Sequence, residues 1–302
     1  MIIVRFEGGL GNQLFQLSHG IELLRKIGGN LVFDYRPIQG DEGKLSAIEK
    51  LTGVYSRGFY NILIVGVLRV YAGLLIRLIL FIYGRTDRAS FLLARLGVYY
   101  QITTRYVELP LPAVWIPFVY LHGNWMSEKY FRDSSDKIRT MIQLDNFIDY
   151  EFHSLAQQMK SADSVAVHIR RGDYISDEWR SKLDVCGDRY YQRSVNEISK
   201  KLTNPKFFIF TNTYEDQQWI RDNFKFFPDD TVFVAAADSD MVHFSLMTIC
   251  SHFILANSTF SWWASYISKS PEKIVIAPSI WNRNMWDMQD ILLPEWVIIE
   301  VE

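Results

Sequence analysis

The sequence predicts an α/β fold of two Rossmann-like domains facing across a cleft. Three observations carry that expectation. The chain opens strand–loop–helix–strand, with an apolar run at 2–6, a Gly-rich turn, a helical stretch at 12–27 and a second apolar run at 30–35. From Ser164 onward, apolar strand-like runs alternate with helical patterns, which argues for a parallel sheet. At 302 residues the chain is long for one ordinary domain and suits two.

Taken in order, the middle of the chain up to about residue 106 reads as mostly helical. LPLPAVWIPF (109–118) carries three prolines and reads as a loop or edge segment. The second half supplies five strand candidates: SVAVHIR, NPKFFIFTN, KFFPDDTVFVAAA, HFILANS and EKIVIAP. A boundary near residues 150–163 gives domains of 1–155 and 156–302, with the last segment a candidate to pack back on the first domain.

Composition narrows the function. The formal charge is −2, from 32 basic and 34 acidic side chains, so the basic excess of a nucleic-acid binder is absent. Cys186 and Cys250 form no metal-binding spacing, and two thiols suit a reducing compartment. The N-terminus begins directly with a strand-like run, which points to the cytoplasm. Aromatic residues reach 15%, which fits either a large core or a sugar-handling surface.

The charge is unevenly spread. Residues 51–108 hold seven arginines and two acids, +5, and leave −7 for the remainder. Within this insert, 58–83 is apolar apart from Asn61, Arg69 and Arg77, and those arginines are expected to divide it into pieces too short to span a bilayer. A basic, apolar, helical patch suits a peripheral contact with an anionic membrane face; a buried helix pair with snorkelling arginines is the other reading.

Three motifs carry chemistry. GGLGNQLFQ (8–16) follows the first strand, and Gly9 and Gly11 would let backbone amides approach a ligand at a helix N-terminus. It lacks the third glycine of a dinucleotide fingerprint, although Asp34 stands where a ribose-binding acid would, so NAD binding is a rival. VAVHIRRGDY (165–174) delivers His168, Arg170, Arg171 and Asp173 to a strand end, where ligands of open α/β sheets bind. Adjacent arginines suit a diphosphate, but alternation along an extended chain turns only one of them to it. ILANSTFSWWASYI (254–267) puts Asn257, Ser258, Thr259 and Ser261 at a strand-to-helix turn, a phosphate cradle or plain N-capping.

GGLGNQLFQ, LHGNWMSEKYF (121–131), HIRRGDY and ANSTFSWW, in this order, resemble the bacterial α-1,2-fucosyltransferases of glycosyltransferase family 11. The resemblance implies a GT-B-like fold with an acceptor-side first domain and a nucleotide-sugar-binding second one. It implies an inverting transfer of L-fucose from GDP-L-fucose to the 2-hydroxyl of a galactoside, with no metal or cofactor. It places Arg170 on the β-phosphate, His168 near the nucleotide, Ser258, Thr259 and Phe260 at the donor, and Asn12 facing the reacting sugar. The acceptor would be an oligosaccharide, lipid-linked if the chain builds an O-antigen repeat at the inner membrane.

Departures from the family pattern leave alternatives. His243 stands where the family usually has an acid on the guanine edge, and a neutral imidazole accepts only one bond. Either Asp238 or Asp240 substitutes, or base selectivity is looser; the same fold and chemistry with a different nucleotide-deoxysugar donor is an alternative. Thr211-Asn212-Thr213 and Leu183-Asp184 also differ from the family. Asp173 is the candidate general base and Glu178 the reserve. Asp238-Ser239-Asp240 after an apolar strand is the alternative of a metal-dependent transferase. A non-catalytic carbohydrate-binding protein is the remaining rival.

Overall fold

The computed structural model describes residues 1–38, 48–53, 59–144, 147–148, 150–161, 163–171, 180–234, 240–283 and 288–301. It divides into two units, Met1–Gln143 and Leu144–Glu302.

The first unit runs β1 (Ile2–Arg5), α1 (Leu10–Ile27), β2 (Leu31–Asp34), α2 (Phe59–Tyr83), α3 (Asp87–Arg95), β3 (Val98–Tyr100), β4 (Val119–His122) and α4 (Ser135–Met141). Its strands are parallel, in the order β2-β1-β4-β3. Ile2, Ile3 and Val4 of the central strand are fully buried, as expected of a strand covered on both faces. Among the described residues of 51–108 helices predominate, and Val98–Tyr100 pairs with β4 as an edge strand too short for periodicity to reveal. One expectation needs correction. Arg69 and Arg77 do not divide the apolar run: Phe59–Tyr83 is one continuous helix of 25 residues. Arginine is a good helix former, and its charge limits membrane insertion without breaking backbone hydrogen bonds.

The second unit runs α5 (His153–Ser161), β5 (Asp163–His168), α6 (Arg180–Leu183), α7 (Asp188–Ser199), β6 (Pro205–Phe210), α8 (Tyr214–Asn223), β7 (Val232–Phe233), α9 (Asp240–Ile249), β8 (His252–Ile254), α10 (Thr259–Ile267), β9 (Val275–Pro278) and β10 (Val297–Ile299). All six strands are parallel, in the order β10-β9-β8-β5-β6-β7. Val165, Val167, Phe207, Ile209, Ile254 and Ile276 meet helix α7 through Tyr190, Tyr191 and Ile198 in one core. Cys186 and Cys250 are both free thiols.

Gly97 is the tight joint of the first unit. It links α3 to β3 at φ +79°, and an added Cβ would lie 2.7 Å from the Phe118 carbonyl oxygen and from Ile116 Cγ2. Gly97→Ala adds left-handed strain to a backbone clash, so it should destabilise by at least about 1–3 kcal/mol, seen as a lower midpoint in thermal or urea unfolding.

Candidate functional site

Ligands of open α/β sheets bind outside the carboxyl ends of the strands, above all where the strand order reverses. In the first unit, with its order β2-β1-β4-β3, the central pair is β1 and β4. The Gly-rich loop leaves β1, and His122-Gly123-Asn124-Trp125 leaves β4. Two glutamines, both fully buried, hold the first loop. Gln13 Nε2 donates to the Gly8 carbonyl (2.9 Å). Gln16 accepts from Glu7 N (3.0 Å) and donates back to Glu7 O (3.3 Å).

Gly8 sits at φ +74°, and a Cβ there would overlap the Asn12 amide. Asn12 is half-buried in the first turn of α1, which has no acidic residue and no side-chain cap. Such an end favours an anion or a polar ligand group. On the other loop, Trp125 adopts φ 56°, and Gln101 Oε1 accepts from the Asn124 and Trp125 amides (2.9 and 2.8 Å). A buried tryptophan forced into left-handed backbone is strain of the kind that collects at functional loops.

The same strand ends carry a polar cluster that the motifs did not reveal. Glu7 pairs with Arg5 and lies 3.5 Å from His122 Nε2, and these contacts hold its carboxyl below the usual range against the opposing effect of burial. The imidazole's hydrogen bond is the largest influence. Asp34 is spent differently: it accepts from Tyr120 Oη (2.8 Å) and pairs with Arg36 (2.9 Å). Both carboxylate oxygens therefore have protein partners, which weakens the NAD rival.

In the second unit the reversal lies between β5 and β8. These strands bring two sequence motifs side by side, with Val167 in register with Ile254. His168 ends β5 and lies against Phe260 of α10, ring centroids 5.9 Å apart. Phe260 meets Phe244 of α9, and His243 of the same helix lies edge-on to Phe210. His168, His243 and Phe260 are thus gathered around one strand end. Arg170, half-buried two residues on, is close enough to disfavour a charge on His168. Burial is the larger cause, and it pushes that imidazole down to about 3.

Arg171 takes the other side. Its guanidinium lies 3.3 Å from the centroid of Trp219, and Nε is 3.4 Å from Asp216 Oδ1. Asn257 is also held internally: its amide donates to the Leu183 and Trp281 carbonyls (both 3.0 Å), and Cys186 Sγ lies 3.6 Å from its oxygen. Ser258 caps α10 by accepting from the Phe260 amide, and the first turn of that helix carries no acid. By contrast, Thr213 caps α8 in front of Glu215 and Asp216, which already occupy its positive end. Asp240 is exposed in the first turn of α9. Asp173, Glu178, Asp238 and Ser239 lie outside the described residues. Among the described residues no group of three His, Cys, Asp or Glu could hold a metal ion.

Comparison with known proteins follows this geometry. The profile of glycosyl transferase family 11 matches residues 97–300. The chain is 32% identical over 182 residues to an alpha-1,2-colitosyltransferase of Escherichia coli, covering 59% of this chain and 61% of that protein. It is 30% identical over 164 residues to the O-antigen biosynthesis glycosyltransferase WbnK of Escherichia coli, covering 50% and 53%. It is 27% identical over 202 residues to galactoside alpha-(1,2)-fucosyltransferase 1 of Lagothrix lagotricha, covering 62% and 54%. The matches thus span roughly half to three-fifths of these relatives' own lengths.

Among solved structures, the fucosyltransferase NodZ from Bradyrhizobium aligns with a TM-score of 0.51 at 17% identity, over 91% of this chain and 94% of that one. NodZ alpha-1,6-fucosyltransferase soaked with GDP-fucose aligns with a TM-score of 0.51 at 16% identity and the same coverage. At such identity the likeness concerns the fold, which is GT-B-like with two Rossmann-like units.

The buried neutral histidines set a pH dependence. His168 in the second unit and His19 in the first are both pushed by burial to about 3, against 6.5 ordinarily. Below pH 6.5 the unfolded chain binds protons that the native one does not, so stability is full above that pH and is lost as pH falls towards 3. Each histidine should account for about 2–3 kcal/mol of loss by pH 4.5. Denaturant unfolding across this range will show the slope, and His168→Phe should remove its share.

Proposed function

The chain belongs to glycosyl transferase family 11, and from that premise we propose that it is an inverting transferase moving L-fucose from GDP-L-fucose to the 2-hydroxyl of a galactoside. The acceptor is an oligosaccharide, lipid-linked, in O-antigen-type surface polysaccharide synthesis on the cytoplasmic side of the inner membrane. The observation that carries this reading is the switch point of the second sheet. There the strand bearing His168 and Arg170 runs beside the strand leading into Ser258 and Thr259.

An inverting transfer needs the leaving diphosphate stabilised and the acceptor hydroxyl deprotonated. Arg170 supplies a fixed cation with a bidentate fork. The amino end of α10, free of acids in its first turn, adds oriented amides. Together they supply the charge that a metal supplies in other transferases, so the reaction is metal-independent in this reading. His168, kept neutral by burial, can meet the nucleotide without adding a proton equilibrium at neutral pH. Asn12 contacts the sugar, and Asp173 takes the acceptor proton.

A second reading keeps the fold and chemistry but changes the deoxysugar. One observation favours weighing it: the relative named alpha-1,2-colitosyltransferase.

A thermal-shift panel of GDP, UDP, ADP, CMP and NAD tests the donor class, and only GDP should stabilise strongly. Strong stabilisation by UDP or NAD instead would sink the reading. Arg170→Lys keeps the charge and loses the fork, and should reduce turnover about 10²–10³-fold with little change in melting. Activity lost to EDTA and restored by Mn²⁺ would return the case to the metal-dependent alternative.

A further inference from the structure

Helix α2 has two unlike faces. Val65, Ala72 and Ile79, seven residues apart, are buried against Ile3, Val32, Leu93, Val98 and Tyr120 of the first unit's core. At 100° per residue the opposite face holds Leu63, Val67, Val70, Leu74, Leu78 and Phe81. These six are 54–88% exposed, an apolar rail along the length of the helix. Close by, Val114 and Trp115 are exposed on the proline-rich segment, which is tied to α3 by the Ala113 amide donating to the Arg95 carbonyl (3.0 Å). An uninterrupted apolar face of this extent marks an interaction surface.

Charge identifies the occupant. Residues 59–83 contain no Asp or Glu, and Arg77 lies on the exposed face at the edge of the rail. Arg85, Arg88 and Arg95 are exposed just beyond it. A second copy docked by two-fold symmetry would bury Arg77 against the partner's apolar rail with no carboxylate from either helix to meet it. Phospholipids supply what that partner lacks, acyl chains for the rail and phosphates within reach of snorkelling arginines.

The helix is long and apolar enough to cross a bilayer over Leu63–Tyr83. Spanning would strip Val65, Ala72 and Ile79 from the sheet they cover. We propose that α2 lies in the plane of an anionic phospholipid surface, with the Leu63–Phe81 rail sunk to the acyl boundary and Arg77, Arg85, Arg88 and Arg95 at the headgroups. Trp115 adds an interfacial anchor of the type tryptophan commonly provides. The inference does not depend on which sugar the protein transfers.

Co-sedimentation with vesicles of phosphatidylcholine, with and without phosphatidylglycerol, tests it. The protein should bind the anionic vesicles about tenfold or more tightly, and added salt should weaken that preference. Arg77→Glu with Arg88→Glu should lower anionic-vesicle binding about twentyfold or more. Leu78→Ser with Phe81→Ser should abolish most of it. All four side chains are exposed, so circular dichroism melts should stay close to the wild type, and the charge pair reports independently of the apolar pair. Membranes from cells should release the protein in alkaline carbonate. Retention after that wash would show spanning and overturn the in-plane placement. Absent vesicle binding, binding indifferent to lipid charge, or a dimer in ultracentrifugation that Phe81→Ser dissolves would each overturn the lipid assignment.

Discussion

Parallel strand pairing in both sheets is the constraint on which the rest of this molecule depends. A parallel strand must be followed by a crossover, and every crossover covers a sheet face. That leaves the carboxyl ends of the central strands for a ligand. Here those central pairs are β1 with β4, and β5 with β8. The four sequence motifs occupy these four ends. Motifs far apart in the sequence are thereby brought together in pairs, and Gln16 Nε2 donates to Asn124 Oδ1 (3.5 Å) across the first pair.

Burial keeps a histidine neutral in each unit. His168 is kept uncharged by burial, and His19 is enclosed by Trp125 and Tyr130 with ring centroids 4.5 and 4.8 Å away. In such surroundings a guanidinium is costly unless partnered. Arg36 has Asp34, and Arg171 has Asp216 and the Trp219 face. Polar groups at the loops are handled by hydrogen bonding: Gln13, Gln16 and Gln101 satisfy backbone groups that a Gly-rich turn would otherwise expose to an apolar core.

Much of this was legible in the sequence because it is periodic or compositional. The strand–turn–helix opening and the apolar strands of the second half follow from patterns that burial on both faces imposes. What was not legible has a physical cause in each case. β3 has three residues, below the length at which alternation can be seen. The continuity of α2 depends on backbone hydrogen bonds that arginines do not disturb, so charge was a poor guide to its ends. The Arg5, Glu7 and His122 cluster joins residues 117 apart through strand order, which local spacing does not encode. Gln13 and Gln16 did leave a signal, as amides three apart within an otherwise apolar helix face, where a polar group implies a fixed partner.

The paired arginines at the end of β5 meet different surroundings. Side chains alternate along an extended strand end, so two adjacent guanidiniums face opposite sides. Arg171 is clamped between the Trp219 ring and Asp216 on α8, and the backbone at 169 is tied to β6 by the Ile169 amide donating to the Phe210 carbonyl (2.9 Å). Arg170 is the arginine whose charge is felt at His168. The two arginines therefore do different things although they are chemically identical. Arg171 is an anchor, stacked on Trp219 and paired with Asp216. Arg170 stands half-buried near His168, and α10, which meets His168 through Phe260, begins without an acid.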